Sequence, residues 1–221
     1  MMNLEVVFKF LKDLAKHNDR AWFEKNKPKY LEAKDQFEEF ISKALDAFVK
    51  IDESLAGLDP KKLTFRIYRD VRFSKDKRPY KTNMGASFSP AGKGMGAPGY
   101  YLHLEPGDKS FVAAGLFQPE PEKLAKVRQE IDYNGDQLIK IIGNKKLKKY
   151  FKDFWNEESL KTAPKGYAKD HPHVELLKHR HYIMMHTFTD KQVKDKKFLK
   201  HLVEVSKAVK PLNDFLTGAI A

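Results

Sequence analysis

Apolar side chains recur every three or four residues near both ends of the chain, a spacing that predicts amphipathic helices. The first such stripe is Leu4, Val7, Phe8, Leu11, Leu14 and Ala15. A second begins after Pro28 and runs to about Ile51, and a third covers residues 191–209, after which Pro211 should bend or end the helix. Residues 121–134 return to the helical spacing in the middle of the chain. Both termini are therefore predicted to be helical.

Short alternating or apolar runs, which are typical of strands, lie between these helices. The predicted strands are residues 65–74, 84–89, 100–105, 110–117 and 181–188. Helices and strands are segregated along the chain rather than alternating, which favours an α+β fold. We predict an antiparallel or mixed sheet of about four to five strands, packed with N-terminal and C-terminal helices. A chain of 221 residues is expected to form a single domain, residues 1–221.

Charge is distributed unevenly along the chain. The net charge is +12, and the excess of Lys and Arg is concentrated in residues 61–100 and 141–221. Clustered positive charge attracts polyanions. The chain has no cysteine, which excludes disulfides, thiolate metal sites and cysteine nucleophiles. Charged residues interrupt the first apolar run and no later run approaches about 20 apolar residues, so we expect a cytoplasmic protein without membrane contact.

Residues 65–82 read FRIYRDVRFSKDKRPYKT and contain seven cations but only two carboxylates, Asp70 and Asp76. On a strand, Arg69 would share an apolar face with Phe65, so it must meet a carboxylate or open onto a ligand. Guanidinium forks beside mobile ammonium groups are typical of phosphate sites. We therefore predict a basic pocket for a phosphate-bearing or other anionic ligand, such as a nucleotide or nucleic acid. Its candidate ligand-binding residues are Arg66, Tyr68, Arg69, Arg72, Lys75, Lys77, Tyr80 and Lys81.

Two side chains are candidates for proton transfer in such a pocket. Asp70 could orient or deprotonate a group held by the cations. His103 could act as a general base if it met the arginines across the sheet, because its unperturbed pKa lies near neutrality, and Tyr101 would share its strand face. The sequence specifies neither a reaction nor a cofactor.

Two further segments contain residue types that occur in ligand sites. GKGMGAPG, residues 92–99, offers glycines and Lys93 but lacks the P-loop pattern, which favours a connection between strands. The segment DHPHVELLKHRH contains His171, His173, His179 and His181. Their spacing matches neither HExxH nor a paired strand motif, so no metal site is predicted.

The longest distinctive motifs are HNDRAWFEKNKPKY, FRIYRDVRFSKDKRPYKTNMG, GAPGYYLHLEPG, GLFQPEP and PKGYAKDHP. In this order, and over nearly its whole length, the chain resembles an uncharacterised bacterial and fungal family, the domain of unknown function 2461. The resemblance implies no activity, substrate or cofactor. It does imply signature positions at Arg66, Tyr68, Arg69, Asp70, Arg72, Phe73, Lys75, Asp76, Lys77, Pro79, Tyr80 and Lys81, together with Arg20, Trp22, Phe23, Gly99, Tyr100, Tyr101, His103, Asp170, His171 and Pro172.

The sequence is compatible with two functions. In the first, the basic pocket binds a phosphate-bearing small molecule or nucleic acid, with or without catalysis. In the second, the chain is a non-enzymatic interaction module whose Arg and Asp residues form a structural ion-pair network. Arg69→Ala would lower only stability in the second case, whereas Lys75→Ala and Lys81→Ala would abolish binding in the first. The sequence does not specify an oligomeric state.

Overall fold

A computed structural model describes residues 3–93 and 96–221, so Gly94 and Met95 of the glycine-rich segment lie outside the described residues. A turn of 3-10 helix covers Glu53–Leu55. The α-helices of the described residues are α1 (Leu4–Lys16), α2 (Arg20–Lys25), α3 (Lys27–Val49), α4 (Pro60–Leu63), α5 (Pro121–Ile142), α6 (Lys145–Lys148), α7 (Val174–Leu177), α8 (Asp190–Lys194) and α9 (Phe198–Ile220).

In the described part of the chain, four strands form one antiparallel sheet in the order β1–β2–β3–β4. They are β1 (Met84–Phe88), β2 (Gly99–Leu104), β3 (Ser110–Leu116) and β4 (Tyr182–Phe188). The register places Tyr101 opposite Ala113, and Ala113 opposite Met185. These elements confirm the predicted α+β fold, with an antiparallel rather than a mixed sheet.

Helices cover one face of the sheet and form a second layer. α3 contacts β1 and α9 contacts β3, while α1 packs on α3 and α5 on α9. The Phe48 ring of α3 lies 5.1 Å from the Tyr100 ring of β2, centroid to centroid. The Asn213 side chain of α9 donates a hydrogen bond to the carbonyl of Gly99. The core therefore lies between these helices and the inward residues of each strand.

The other face of the sheet, here called the outer face, presents the alternate residues of each strand. Its residues include Ser87, Tyr101, His103, Phe111, Ala113, Ile183 and Met185, together with Gly85, Gly99, Gly115 and Thr187. Several of these side chains are half-buried or exposed, in contrast to the buried Tyr100 and Leu102 on the helix side. The alternation in YYLHLE thus places Tyr101 and His103 together on the outer face, as predicted.

The predicted strand at residues 65–74 is wrong. Residues 65–82 instead double back as an irregular hairpin, here called the basic hairpin, in which Tyr68 and Tyr80 form an isolated bridge. The alternation would have placed Phe73 on the same face as Phe65 and Arg69, but 96% of its surface is exposed.

Local hydrogen bonds explain why this segment does not extend as a strand. The Asp70 carboxylate accepts from the backbone N–H of Arg72, and the Asp76 carboxylate accepts from that of Arg78. A side chain that bonds to the backbone two residues later competes with the ladder of a sheet. The alternating pattern was therefore overridden by turn-forming aspartates.

The helix predicted over residues 191–209 is divided into α8 and α9 by residues 195–197, and α9 extends beyond the predicted end. α9 continues through Pro211 to Ile220, so the proline does not end it. Leu212 and Leu216 beyond the proline are buried, and this packing offsets the backbone hydrogen bond that proline cannot make. Neither α9 nor any other helix in the described part of the chain combines the length and apolar character needed to cross a membrane.

Candidate functional site

A cavity of about 540 Å³ lies against the outer face of the sheet. This volume is within the range of small-molecule sites, about 300–1,000 Å³. Its walls include Phe65, Tyr101, Phe111, Phe117, Trp155 and Met185. Because these side chains are mainly aromatic or aliphatic, the outer-face cavity suits a ligand with an apolar body.

Two lysines lie near the ring of Phe65, and one of them, Lys93, itself lines the cavity. The Nζ atoms of Lys81 and Lys93 are 5.6 Å and 5.9 Å from the centroid of this ring. Lys93 also donates to the carbonyl of Thr64 at 3.0 Å. Burial, and then the charge of Arg66, lowers the pKa of Lys81. Neither lysine has an ion-pair partner among residues 3–93 and 96–221.

A chain of hydrogen bonds runs along the outer face of β2 and just beyond it. The hydroxyl of Tyr101 lies 3.3 Å from Nδ1 of His103, and Nε2 of His103 lies 2.9 Å from the Glu105 carboxylate. Burial, and secondly the negative charge of Glu105, raises the pKa of Tyr101. The imidazole stacks on Phe111 with centroids 4.6 Å apart, and Thr82 donates to Glu105. We call Tyr101, His103 and Glu105 the outer-face triad.

Gly85 makes room for the tyrosine of this triad. A Cβ at Gly85 would lie 2.5 Å from the hydroxyl oxygen of Tyr101 and 3.0 Å from its Cζ. Such distances are far inside ordinary contact, about 3.5 Å. The absence of a side chain at Gly85 therefore permits Tyr101 to lie across β1.

Three arginines of the basic hairpin form ion pairs with aspartates of the same hairpin. Arg72 pairs with Asp70 at 2.6 Å, while Arg69 and Arg78 both pair with Asp76, at 2.8 Å and 2.7 Å. The hydrogen bonds from Arg72 and Arg78 lower the pKa of Asp70 and Asp76, respectively. The candidate base Asp70 is therefore held as the partner of an arginine, away from the cavity wall.

The other cations of the basic hairpin differ in their surroundings. Arg66 and Lys75 are exposed and have no ion-pair partner within the described residues. Lys77 donates to the carbonyl of Val71 at 3.1 Å. Of the predicted cations, Lys81 is the one that lies beside the aromatic wall of the cavity.

The two tyrosines of the predicted pocket have different environments. Tyr80 is buried, with its ring stacked on Phe23 at 4.0 Å between centroids. Tyr68 is 45% exposed and contacts both of these rings. Tyr68 is thus the ring of the pair that is open to a ligand.

The histidine-rich segment forms separate pairs rather than one cluster. His171 lies 2.8 Å from the Asp132 carboxylate, and the buried His181 lies 2.9 Å from that of Glu158. The backbone N–H of Gln118 donates to Nδ1 of His181. Within the described ranges, no three His, Asp or Glu side chains are grouped closely enough to hold a metal ion.

The basic hairpin and the outer face both lie within the part of the chain that matches a protein-family model. The family model described as "Conserved hypothetical protein (DUF2461)" matches residues 6–215. The chain belongs to the DUF2461 family. No curated protein and no solved structure matches it. Because the DUF2461 description carries no activity, the function of this member must be inferred from the geometry of its site.

Several residues of the site were not identified from the sequence. Glu105 follows His103 at the next position of the same face, so the alternation of YYLHLE could have included it. Trp155 and Met185 offer no such signal, because they reach the cavity from distant parts of the chain. Trp155 lies in a loop, and its own backbone N–H donates a hydrogen bond to the carbonyl of Ile183 at 2.9 Å.

Proposed function

We propose that this DUF2461 protein binds a small anionic ligand, such as a phosphate-bearing molecule, on the outer face of its sheet. The apolar body of the ligand enters the outer-face cavity, and its anionic group meets Lys81 and Lys93. Arg66 adds positive charge near Lys81. Among the ligands predicted from the sequence, a nucleotide-sized molecule fits this proposal better than a long nucleic acid, because the cavity has a volume of about 540 Å³.

The observation that carries the proposal is the pairing of an apolar cavity with two lysines that have no ion-pair partner within residues 3–93 and 96–221. Lys81 is half-buried beside Phe65, and its pKa is lowered by desolvation and by Arg66. A cation in such surroundings is stabilised by a bound anion, which restores the favourable interactions lost with water. Lys93 reaches the same ring and can supply a second donor.

A second function, the non-enzymatic interaction module, is favoured by a different observation. Arg69 and Arg72, both predicted to contact a ligand, are matched by Asp76 and Asp70. These pairs are partly or largely exposed, so each contributes little to stability, but together they fix the shape of the basic hairpin. In this alternative the hairpin presents its surface to a partner protein, and the cavity binds no anion.

Binding of phenyl phosphate, which joins an apolar ring to an anion, tests the first function. Inorganic phosphate and benzyl alcohol serve as half-ligands, each carrying only one of these two features. We expect phenyl phosphate to raise the melting temperature saturably and more than either half-ligand. At a concentration a hundredfold above Kd the gain is about 2.7 kcal/mol, which corresponds to several degrees in a chain of this size.

Single lysine variants locate the anion site. Lys81→Met and Lys93→Met should each weaken phenyl phosphate binding about tenfold, because each removes a charged donor. Lys62→Met, an exposed lysine of α4, is the matched control and should bind as the wild type does. If phenyl phosphate causes no change in melting temperature at low or high ionic strength, the binding proposal fails and the interaction module is favoured.

A further inference from the structure

The outer-face triad has the order of groups that activates a nucleophile. Tyr101 and His103 lie two residues apart on β2, and Glu105 follows two residues later, so all three project from one face. Their hydrogen bonds connect hydroxyl to imidazole at 3.3 Å and imidazole to carboxylate at 2.9 Å. Nucleophile, base and orienting carboxylate in this sequence form the general arrangement of triad catalysis.

The carboxylate fixes which imidazole nitrogen carries the proton. An ionised Glu105 can only accept a hydrogen bond, so Nε2 of His103 is the donor. In the neutral imidazole Nδ1 then has a free lone pair, to which the hydroxyl of Tyr101 can donate. His103 is therefore oriented to accept the phenolic proton, and Glu105 is placed to stabilise the imidazolium that results.

Neighbouring residues hold this arrangement in place. Phe111 stacks against the imidazole with an angle of 12° between the ring planes, and Thr82 donates to Glu105. Burial raises the pKa of Tyr101, so its hydroxyl stays protonated near neutrality and requires a base to react. Tyr101 itself lines the outer-face cavity, where a ligand would lie.

We propose that Tyr101 is a nucleophile that attacks phosphate monoesters bound in the outer-face cavity, with His103 as general base and Glu105 as the positioning residue. The bond from Tyr101 Oη to phosphorus forms as the phenolic proton passes to His103 Nδ1. The ester P–O bond breaks, and the leaving oxygen takes the proton from Nδ1. Water then attacks phosphorus as it gives a proton to His103 Nδ1, the bond from phosphorus to Tyr101 Oη breaks, and the departing phenolate takes that proton, which releases inorganic phosphate and restores Tyr101. Lys81 and Lys93 would stabilise the negative charge of the phosphoryl group.

This chemistry rests on the proposed function, because the phosphoester occupies the proposed anion site. Its nucleophile can nevertheless be tested separately with benzenesulfonyl fluoride, an uncharged reagent. Tyr101 Oη would bond to sulfur, fluoride would leave, and the proton would pass to His103. Peptide mass spectrometry of the full chain would give the labelling rate of each tyrosine.

Tyr133 is the matched control within the same molecule, because its side chain is 72% exposed and would react fastest if exposure alone set the rate. We expect Tyr101 to be labelled faster than Tyr133, and His103→Gln to slow Tyr101 about a hundredfold, the usual contribution of a general base. The rate at Tyr133 should not change in that variant, and its melting temperature confirms folding. Labelling of Tyr133 at an equal or higher rate, or an unchanged rate at Tyr101 in His103→Gln, would overturn the proposal.

A separate measurement tests whether phosphate monoesters are the substrate. After incubation with p-nitrophenyl phosphate and acid quenching, we expect phosphate on Tyr101 in the wild type and none in Tyr101→Phe. Sulfonylation of Tyr101 without such phosphorylation would overturn phosphate monoesters as the substrate. Lys62→Met, which changes an exposed lysine of α4, is the matched control and should leave both phosphorylation and sulfonylation of Tyr101 unchanged.

Discussion

Replacing Gly85 by alanine should displace Tyr101 and break the outer-face triad. The new Cβ would lie 2.5 Å from the hydroxyl oxygen and 3.0 Å from Cζ of Tyr101. To reach ordinary contact near 3.5 Å, the hydroxyl must move by about 1 Å, which is enough to disrupt its 3.3 Å hydrogen bond to His103. The ring also packs near Phe65 and Phe111, so the shift propagates into the cavity wall.

We expect Gly85→Ala to lower the free energy of unfolding by about 1–3 kcal/mol, the usual cost of overpacking. For a chain of this length that is a loss of about 2–4 °C in Tm per kcal/mol. Thermal unfolding followed by circular dichroism measures the loss, and benzenesulfonyl fluoride labelling reports the displaced Tyr101. Both should decrease together.

Two variants make this prediction specific. Gly218→Ala adds the same methyl group in α9 where nothing lies within 4 Å, so its Tm should be unchanged or slightly raised. In a Tyr101→Ala background the penalty of Gly85→Ala should largely disappear, since the overlapping ring is gone. An unchanged Tm and labelling rate in Gly85→Ala, or the same penalty with and without the Tyr101 ring, would refute this account of the site.

Two further changes test the surroundings of the site. Asn18→Ala removes both hydrogen bonds that join the Asn18 amide to the backbone of Tyr80, so denaturant unfolding should show a loss of about 1–3 kcal/mol, whereas the exposed Asn156→Ala should show none. Burial lowers the pKa of His186 in the folded chain. As the pH falls below the unfolded pKa of about 6.5, the unfolded chain therefore binds a proton that the folded chain does not. The free energy of unfolding should decrease as the pH falls from about 6.5 toward the lowered pKa of the folded state. His186→Gln should flatten this dependence, and an equally steep decline in that variant would show that His186 is not responsible.

The sequence predicted the sheet where alternation and burial agree. In YYLHLE, the inward Tyr100 and Leu102 are buried while Tyr101 and His103 face outward, so period-two reasoning gave both the strand and the shared face. The same reasoning failed at residues 65–74, because hydrogen bonds between neighbouring residues and solvation of the cations outweighed the alternation. Hydrophobic patterning is thus a poor guide where charged side chains can form local turns.

The candidate site was only partly predictable for a different reason. His103 could be identified from its chemistry, and Lys81 from the charge of its segment. Their surroundings could not be identified, since Trp155 and Met185 reach the cavity through contacts between distant parts of the chain. Which of the many cations faces a cavity, and which is paired, depends on tertiary contacts such as that between Arg69 and Asp76.

Adjacent methionines on opposite sides of β4 offer the most direct test of whether the outer face binds a ligand. Met185 lines the cavity and is 41% exposed, whereas Met184 is buried on the helix side. In protein carrying ¹³C-methyl methionine, titration with phenyl phosphate should shift the Met185 resonance saturably, through the ring current of the ligand, and leave Met184 nearly unchanged. An unmoved Met185 resonance at saturating phenyl phosphate would contradict a ligand site on this face of the sheet.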